Sequence, residues 1–479
     1  MICISYICDK LFFMKFWSKT SRFVLKQQIA ILTTIVIITI LLGSQMKHIK
    51  LSYTEANLLP EDHIENIKYN NFLEIFGEEG TLIVLGVKDS TIFNPDKFLN
   101  WNRLAKQLDS LKKIDYSISI GDLKELKKNK ELKRFELSKL SIDNLDTKEK
   151  IDQLKYHLFN EMPFYDNLLF NKNTETIQIA LFVDKKIVNT KERKDFIFDV
   201  FNPIIEKFEK DNNVDVHISG MPFIRSMNSE NIKSEMGTFV ILALGVTAFI
   251  FFLFFRSFRA TFITLLVVSI GVIWAFGFIG LFGFEITVLT ALIPPLIIVI
   301  GVPNAIFIIN NYQQEIKLHS NKTKSLHRVI SKVGNATLMT NITTAAGFAT
   351  FIFTNSSLLN EFGIIVSINI MAIFVLSILI IPCIYSFMPI PKPKHLKHLK
   401  KKWISGIVDW MVFMVRNRKN TIYTVSFVVI IASIIGVYKI EVSGSLIDDM
   451  PKEKTFYKDI VFFEQEFGGI MPLEVMIDT

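Results

Sequence analysis

The chain has 479 residues, of which 50% are hydrophobic, and it carries a formal net charge of +8. Its mean hydropathy is positive. The apolar residues are concentrated in nearly uncharged runs, each close to the ~20 residues that cross a bilayer. This distribution indicates a membrane protein and disfavours a soluble one. The positive charge does not indicate a nucleic-acid partner, because the basic residues cluster beside the apolar runs.

Seven of these runs predict membrane spans, which we number 1 to 7 in chain order. They cover residues 29–46, 236–255, 260–281, 287–309, 334–353, 362–387 and 421–437. Span 1 follows a basic, aromatic segment and no A-x-A-like site comes after it, so we predict a signal anchor rather than a cleaved signal peptide. The three cysteines, Cys3, Cys8 and Cys383, lie outside the long polar segment 47–235, so no disulfide framework is expected there.

The placement of Lys and Arg predicts the orientation of the spans. Basic residues precede span 1 and fill the loops between spans 2 and 3, spans 4 and 5, and spans 6 and 7, whereas the short loops after spans 3 and 5 have none. By the positive-inside rule, the basic N-terminal segment 1–28 and the linker 388–420 lie in the cytoplasm. Their amphipathic stretches are expected on the inner membrane surface. The segments 47–235 and 438–479 then lie outside the cytoplasm.

The polar segment 47–235 has a mixed pattern of strands and helices. The predicted strands are 81–87, 116–120, 176–183 and 214–219, and the predicted helices are 93–114 and 191–211, with a charged helical region over about 121–171. Strand–helix–strand occurs twice in this order. The pattern therefore predicts two small α+β sandwiches.

A sequence repeat links the two polar segments. LPEDHIENIKYNNFLEIFG (59–77) compares with MPKEKTFYKDIVFFEQEFG (450–468) at a constant offset of 391 residues, from Pro60 to Pro451 and from Phe72 to Phe463. Each copy follows an apolar span that itself follows a basic, aromatic stretch. One repeat unit is therefore one span, one external domain and a bundle of five more spans (236–387 in the first unit). This plan predicts a parallel 6+6 repeat, of which the chain would carry seven of twelve spans and a truncated second external domain.

This organisation resembles the resistance–nodulation–division (RND) superfamily, and within it the MMPL/hydrophobe-exporter branch, which is related to Patched and the sterol-sensing proteins. The stretches that carry the resemblance are FLFFRSFRA (252–260), GVPNAIFIINNYQQE (301–315), ATLMTNITTAAGFATF (336–351) and EFGIIVSINI (361–370). The resemblance implies a membrane α-helical bundle with an extracytoplasmic α+β porter-like domain. It also implies a multi-pass permease of the bacterial inner membrane that moves hydrophobic or lipid-like substrates, driven by the proton gradient.

Span 4 departs from the family pattern at the position that bears on proton movement. In the family, span 4 often carries one or two aspartates that take part in proton relay, whereas this chain has Pro303 and Asn304 at the equivalent positions. Neither side chain titrates near neutral pH. The resemblance would then place proton coupling in the matching span of a second half. The span-4 candidates for a transport pathway are Gly301, Pro303, Asn304, Asn310 and Asn311.

These span-4 residues also have a structural interpretation. Amides in membrane helices often pair across helices, Pro303 would kink the helix, and Gly301 with Ala305 would permit close helix contact. Span 5 has Ala336, Thr340, Thr343, Thr344 and Gly347 at spacings of three and four, which places them on one face. We predict that this face lets span 5 approach span 4 closely. The span-5 candidates for a polar path are Thr340, Asn341, Thr343, Thr344 and Gly347.

No enzyme chemistry is predicted. His395 and His398 lie in a lysine run without a third ligand, which makes a poor zinc site. No P-loop is present, and no cofactor is expected. Two functions stay open: an export permease, and a non-transporting sterol-sensing-like regulator or assembly factor. The expected partners are membrane lipids, a hydrophobic or amphiphilic substrate, and a homo-oligomeric or periplasmic partner, without nucleic acid.

Overall fold

The computed structural model describes residues 15–51, 62–76, 80–129, 134–140, 145, 147–390, 402–440 and 452–469. Residues 391–401 of the basic linker, with His395 and His398, and the prolines Pro60 and Pro451 of the repeat lie outside the described residues. The chain forms two compact units. We call Met1–Leu51 with Ile232–Gly444 the helical unit, and Ser52–Asn231 with Ser445–Thr479 the sheet unit.

Seven helices in the described part of the chain are long and apolar enough to cross a membrane, which confirms the seven predicted spans. In chain order they are Gln28–Gln45, Met221–Phe255, Phe258–Phe282, Ile293–His319, Lys322–Ala349, Ser357–Phe387 and Lys419–Tyr438. Spans 2, 3, 6 and 7 extend beyond the predicted runs, because a helix continues into polar residues until a cap or a change in backbone conformation ends it, whereas span 4 begins at Ile293 and span 5 ends at Ala349, inside their predicted runs. Gly283, for example, adopts φ of +72° directly after span 3.

Short helices accompany the spans in the helical unit. They are Met46–His48, Val288–Ala291, Thr350–Phe353 and the amphipathic helix Lys402–Asn417. The core lies among spans 3, 4 and 6, where isoleucines such as Ile297 and Ile373 are fully buried. Span 1 crosses span 3 at Gly277, where a Cβ atom would lie 2.6 Å from the Leu42 side chain. Only glycine allows two helices to approach so closely at this point.

The basic N-terminal segment forms a helix over its described residues 15–26. Trp17, Ser21 and Val24 are buried and share one helix face. Trp17 packs edge-on against Phe374 of span 6, with 6.3 Å between ring centroids. A Cβ atom at Gly334 of span 5 would lie 2.5 Å from the Trp17 ring. The apolar stripe of this amphipathic helix therefore packs against the bundle.

Nine strands lie in the described residues. In chain order they are β1 Lys50–Leu51, β2 Leu82–Val87, β3 Ile114–Ile118, β4 Lys124–Asn129, β5 Arg134–Lys139, β6 Phe170–Asn171, β7 Thr176–Val183, β8 His217–Ser219 and β9 Glu285–Ile286. β1 and β9 form a short parallel ladder in the helical unit. The remaining strands belong to the sheet unit.

The sheet unit has one main sheet, not the two sandwiches that we predicted. Its order is β3-β7-β2-β8, with β6 also on β7, and all the neighbours are antiparallel. β7 is buried along most of its length because it pairs with β2 on one side and β3 on the other. The two strand–helix–strand segments therefore share one sheet.

The sheet unit also contains helices, of which Pro95–Asp109 and Thr455–Phe467 pack on the main sheet. In chain order they are Ile64–Phe76, Pro95–Asp109, Ile120–Asp122, Lys148–Glu161, Pro163–Tyr165, Lys191–Phe196, Ile197–Phe201, Asn202–Asn212, the start of Met221–Phe255, and Thr455–Phe467. Trp101, Phe98 and Phe170 are fully buried in its core. The unit is therefore an α+β fold, and its side of the membrane stays a prediction.

The predicted helical region over about 121–171 was partly wrong. Its first part is the hairpin of β4 and β5, and only Lys148–Glu161 forms a long helix. In the hairpin Leu126 lies opposite Leu137 and Lys127 opposite Glu136. Such cross-strand pairs stabilise a sheet as i,i+4 pairs stabilise a helix, so a Lys/Leu-rich composition does not distinguish the two.

Candidate functional site

Two predicted side chains meet between spans 4 and 5. Asn304 of span 4 and Asn341 of span 5 are 7% and 3% exposed. The Asn304 Nδ2 atom donates to Asn341 Oδ1 at 3.0 Å, and Asn341 Nδ2 donates to Asn304 Oδ1 at 2.9 Å. Asn341 Nδ2 also donates to the backbone oxygen of Thr337, one turn earlier, at 2.7 Å. The amides therefore form a reciprocal, cross-helix pair.

The chemistry of this pair is neutral. Each amide offers one acceptor and two donors and has no ionisable proton near pH 7. In an apolar bundle an unpaired amide is costly, so each side chain stabilises the buried position of the other. The pair can fix the relative register of two helices. It cannot take up and release protons as a carboxylate does.

Gly301 lies one turn before Asn304 on span 4. Because it has no side chain, span 6 can approach span 4 closely at this point. A Cβ atom at Gly301 would lie 2.3 Å from Ile373 Cδ1 and 3.3 Å from Val268 Cγ2. A Cβ atom at Gly271 of span 3 would also lie 2.9 Å from Ile373 Cδ1. Ile373 therefore fills a notch between two glycines. This geometry confirms the predicted close helix contact at Gly301.

Pro303 lies inside the continuous helix Ile293–His319. Because proline has no backbone N–H, the carbonyl of Val299 lacks its usual partner in the helix. Asn310 has a buried Oδ1 atom with no hydrogen-bond partner among the described residues. The side chain of Asn311 donates back to the Phe307 carbonyl at 2.9 Å on an exposed surface. The structure does not bring these two amides into the pair.

The predicted contact face of span 5 was wrong. The hydroxyls of Thr340, Thr343 and Thr344 donate to carbonyls of their own helix, four residues earlier. Ala336, Thr340, Thr343 and Gly347 are exposed, and no described atom lies within 4 Å of a Cβ position at Gly347. The buried face carries Thr337, Asn341 and Ala345 instead. Successive residues of an α-helix are about 100° apart around its axis. A set of residues with helical spacing therefore shares one face, but this face need not be the one that contacts span 4.

The sequence analysis did not single out Asn369 of span 6. This side chain is fully buried, and neither amide atom has a hydrogen-bond partner among the described residues. It lies one helical turn from Ile373. Its position in the motif EFGIIVSINI, as a lone amide in an apolar run, is the signal that could have found it.

A charged cluster joins the ends of spans 4 and 5. Glu315 is largely buried, and its carboxylate lies 3.5 Å from His319, 3.6 Å from Arg328 and 3.9 Å from Lys332. These residues come from the basic loop that predicted the orientation. The cluster therefore pairs a buried acid with the cations of that loop.

In the sheet unit, the helix Thr455–Phe467 occupies a groove beside β2 and β8. Asp459 accepts a hydrogen bond from His217 at 2.8 Å if the histidine carries the proton on Nδ1. Lys88 donates to Glu466 at 2.6 Å, and Thr176 donates to the same carboxylate at 2.9 Å. Both ends of the helix are thus held by polar contacts.

Comparisons with known proteins agree with the motifs. The model of the MMPL family matches residues 185–416, a range that contains spans 2 to 6 and the amide pair. A membrane protein of Methanocaldococcus jannaschii is 22% identical over 372 residues, which cover 76% of this chain and 92% of that relative. Residues 185–416 thus match the model of the MMPL family, which agrees with the resemblance carried by the motifs of spans 4 to 6.

Proposed function

We propose that this protein is an RND/MMPL-type permease that moves a hydrophobic or lipid-like substrate in a bacterial inner membrane. The observation that carries the proposal is the family match over the bundle that holds the Asn304–Asn341 pair. The N-terminus would lie in the cytoplasm, and the sheet unit outside it. Membrane lipids and a homo-oligomeric or periplasmic partner complete the proposal.

Within such a permease, the neutral amide pair positions helices, and a different residue couples transport to protons. A proton-driven cycle needs a group that is protonated on one side of the membrane and deprotonated on the other. Asn304 and Asn341 satisfy each other and carry no such proton. We therefore assign proton coupling to the span equivalent to span 4 in a second repeat. The pair described here has a positioning role.

The same pair favours a second candidate function. A bundle whose span-4 position is neutral and fixed suits a non-transporting, sterol-sensing-like regulator or assembly factor. The two functions differ in one measurable property, which is the movement of substrate in response to a pH gradient.

The test reconstitutes the protein in liposomes that contain a fluorescent lipid and imposes a pH gradient. We expect gradient-dependent movement of the lipid. Asn304→Leu is expected to change the rate but not its dependence on pH, with Thr340→Val on the exposed face as the control. Loss of the pH dependence in Asn304→Leu would place the pair in the proton path. Absence of lipid movement at any gradient would favour the regulator.

A further inference from the structure

The hairpin of β4 and β5 is separate from the main sheet of the sheet unit. Among the described residues its two strands pair only with each other, along the six residues Lys124–Asn129 of β4. A two-stranded hairpin by itself is marginally stable in water. The stability of this hairpin therefore depends on what its two faces contact.

One face of the hairpin packs against the sheet unit. It carries Glu125 and Ser138, which lie opposite each other in the ladder and are both half-buried. The Glu125 carboxylate lies 3.4 Å from His157 Nε2 of the helix Lys148–Glu161. The Ser138 hydroxyl donates to the backbone oxygen of Glu125 at 3.5 Å. This face is thus occupied by the protein itself.

The opposite face of the hairpin is apolar and open. Leu126, Phe135 and Leu137 are 60%, 63% and 68% exposed. Leu126 lies directly opposite Leu137, and Phe135 is two residues before Leu137 on the same strand, so the three side chains share one face. Scattered exposed apolar side chains are normal in proteins, but three large ones together on one short hairpin mark a contact surface.

Two lysines border this apolar face at one end. Lys124 and Lys139 lie opposite each other in the ladder, on the same face as Leu126 and Leu137, and both are exposed. Like charges at directly opposite positions repel each other. Asp122 lies 3.5 Å from Lys139, but an ion pair of two exposed side chains contributes little. An anion beside both ammonium groups would relieve the repulsion.

The whole hairpin sequence is basic. KELKKNKELKRFELSK (124–139) has six lysines and one arginine against three glutamates, which leaves a formal charge of +4. Apolar side chains that enter the headgroup region, combined with lysines that stay at the level of the phosphates, are the means by which proteins bind anionic lipid surfaces. The open face of the hairpin has this combination.

The composition of the face disfavours a protein partner. A two-fold contact with a second copy would place the lysine pair of one chain against that of the other, where they repel. Three apolar side chains also cover much less than the ~800 Å² that each partner buries in a stable interface. A bilayer surface needs no such area, because the spans of the same chain make the contact an intramolecular event at high effective concentration.

We infer that the open face of the β4–β5 hairpin binds the surface of an anionic lipid bilayer. Leu126, Phe135 and Leu137 enter the headgroup region, and Lys124 and Lys139 contact lipid phosphates. The contact attaches the sheet unit to the membrane in addition to the chain segments that join it to the spans. It serves a permease and a non-transporting regulator equally, so it does not rest on the proposed transport.

The first test places a nitrobenzoxadiazole fluorophore on the open face. Leu137→Cys is labelled in the full chain, whose three native cysteines are replaced by alanine, and reconstituted in liposomes of phosphatidylethanolamine and phosphatidylglycerol with a doxyl-labelled lipid. We expect the doxyl lipid to quench this label more strongly than one at Val200→Cys, an exposed position of the same unit.

Equal quenching at the two positions would overturn the inference. Absence of quenching at position 137 would overturn it as well, and the emission wavelength then identifies what the face contacts. A red emission would place the face in water, and a blue emission would place it against protein.

The second test removes the lysine pair. A lysine beside an anionic surface is worth about fivefold in binding, so Lys124→Gln with Lys139→Gln is expected to lower the ratio of bound to free hairpin by about 25-fold. Quenching of the label at Leu137→Cys should fall accordingly. The matched control is Lys106→Gln with Lys112→Gln, which removes two exposed lysines of the same unit and should leave quenching unchanged. Equal losses in the two variants would overturn the role of the lysine pair.

The lipid composition tests the same electrostatic argument without a substitution. In liposomes of phosphatidylcholine alone, which carry no net charge, quenching of the label at Leu137→Cys should be weaker than in the liposomes with phosphatidylglycerol. Equal quenching in both would overturn the selection of an anionic surface.

The third test removes an apolar side chain. Phe135→Gln is expected to weaken quenching of the label at Leu137→Cys, because the phenylalanine ring would no longer enter the headgroup region. Tyr156→Gln is the control, since it changes an aromatic side chain that is 65% exposed on the helix Lys148–Glu161. Unchanged quenching in Phe135→Gln would overturn the insertion of this face into the bilayer.

Discussion

The substitution Asn304→Leu tests whether the amide pair stabilises the bundle. It removes the two reciprocal hydrogen bonds of 3.0 and 2.9 Å and leaves Asn341 with its bond to the Thr337 carbonyl. Hydrogen bonds between membrane helices contribute about 0.6 kcal/mol on average and up to about 1.7 kcal/mol. Two such bonds, with one orphaned Oδ1 atom, predict a loss of about 1–2 kcal/mol in the free energy of unfolding.

A double-mutant cycle separates the pair from its surroundings. Asn341→Leu should cost about as much as Asn304→Leu, but the double variant should cost less than the sum, because it leaves no orphaned amide. The measurement is unfolding by sodium dodecyl sulfate in mixed micelles, followed by circular dichroism. Asn311→Leu is the control, since its amide bonds only to its own helix on an exposed surface.

The cycle has a clear refuting result. A coupling free energy of about 1 kcal/mol is expected between Asn304 and Asn341. Additive losses, or a loss in Asn311→Leu as large as that in Asn304→Leu, would mean that the reciprocal hydrogen bonds do not stabilise the contact between spans 4 and 5.

Two further predictions concern the groove and the glycines. Burial raises the pKa of Glu466, but hydrogen bonds from Lys88, Thr174 and Thr176 outweigh burial and lower it overall. The ionised carboxylate therefore stabilises the docked helix above its unfolded pKa. The protection factors of residues 455–467, which are the intrinsic exchange rates divided by the observed ones, should fall as the pH falls through the lowered pKa of Glu466, and Glu466→Gln should flatten this profile. Gly301→Ala should cost about 1–3 kcal/mol of unfolding free energy, because its Cβ atom would lie 2.3 Å from Ile373 Cδ1. Ile373→Val should restore part of the loss, and Gly347→Ala should cost nothing.

The membrane spans could be predicted from the sequence because a bilayer requires a minimum length and an apolar composition of each span, independently of the other spans. The sheet unit could be predicted only in part, because its strands depend on partners distant in the chain. β7 pairs with β2 and β3, which precede it by many residues, and no local pattern states this order. The prediction of a helix in place of the β4–β5 hairpin was wrong for a related reason. The charged and apolar residues of this segment fit both the helical and the strand period.

The candidate site shows the same limit within the bundle. The sequence identified Asn304 and Asn341 as polar residues in apolar spans, and it left packing open as their role. It did not predict that they bond to each other, because that depends on the rotation of each helix about its axis. The error on span 5 has the same source. Thr340 and Asn341 are neighbours in sequence, yet only Asn341 faces span 4.

The contacts around Gly301 restrict how this bundle can move. Ile373 lies in a notch between Gly271 and Gly301, so spans 3, 4 and 6 cannot slide by one turn without withdrawing that side chain. The amide pair attaches span 5 to span 4 through hydrogen bonds that would break if the two helices slid past each other. Spans 3, 4, 5 and 6 thus form one body. We therefore expect these four spans to move together in any rearrangement of the bundle. Sliding would then occur at surfaces outside this body, such as the exposed face of span 5 that carries Thr340 and Thr343.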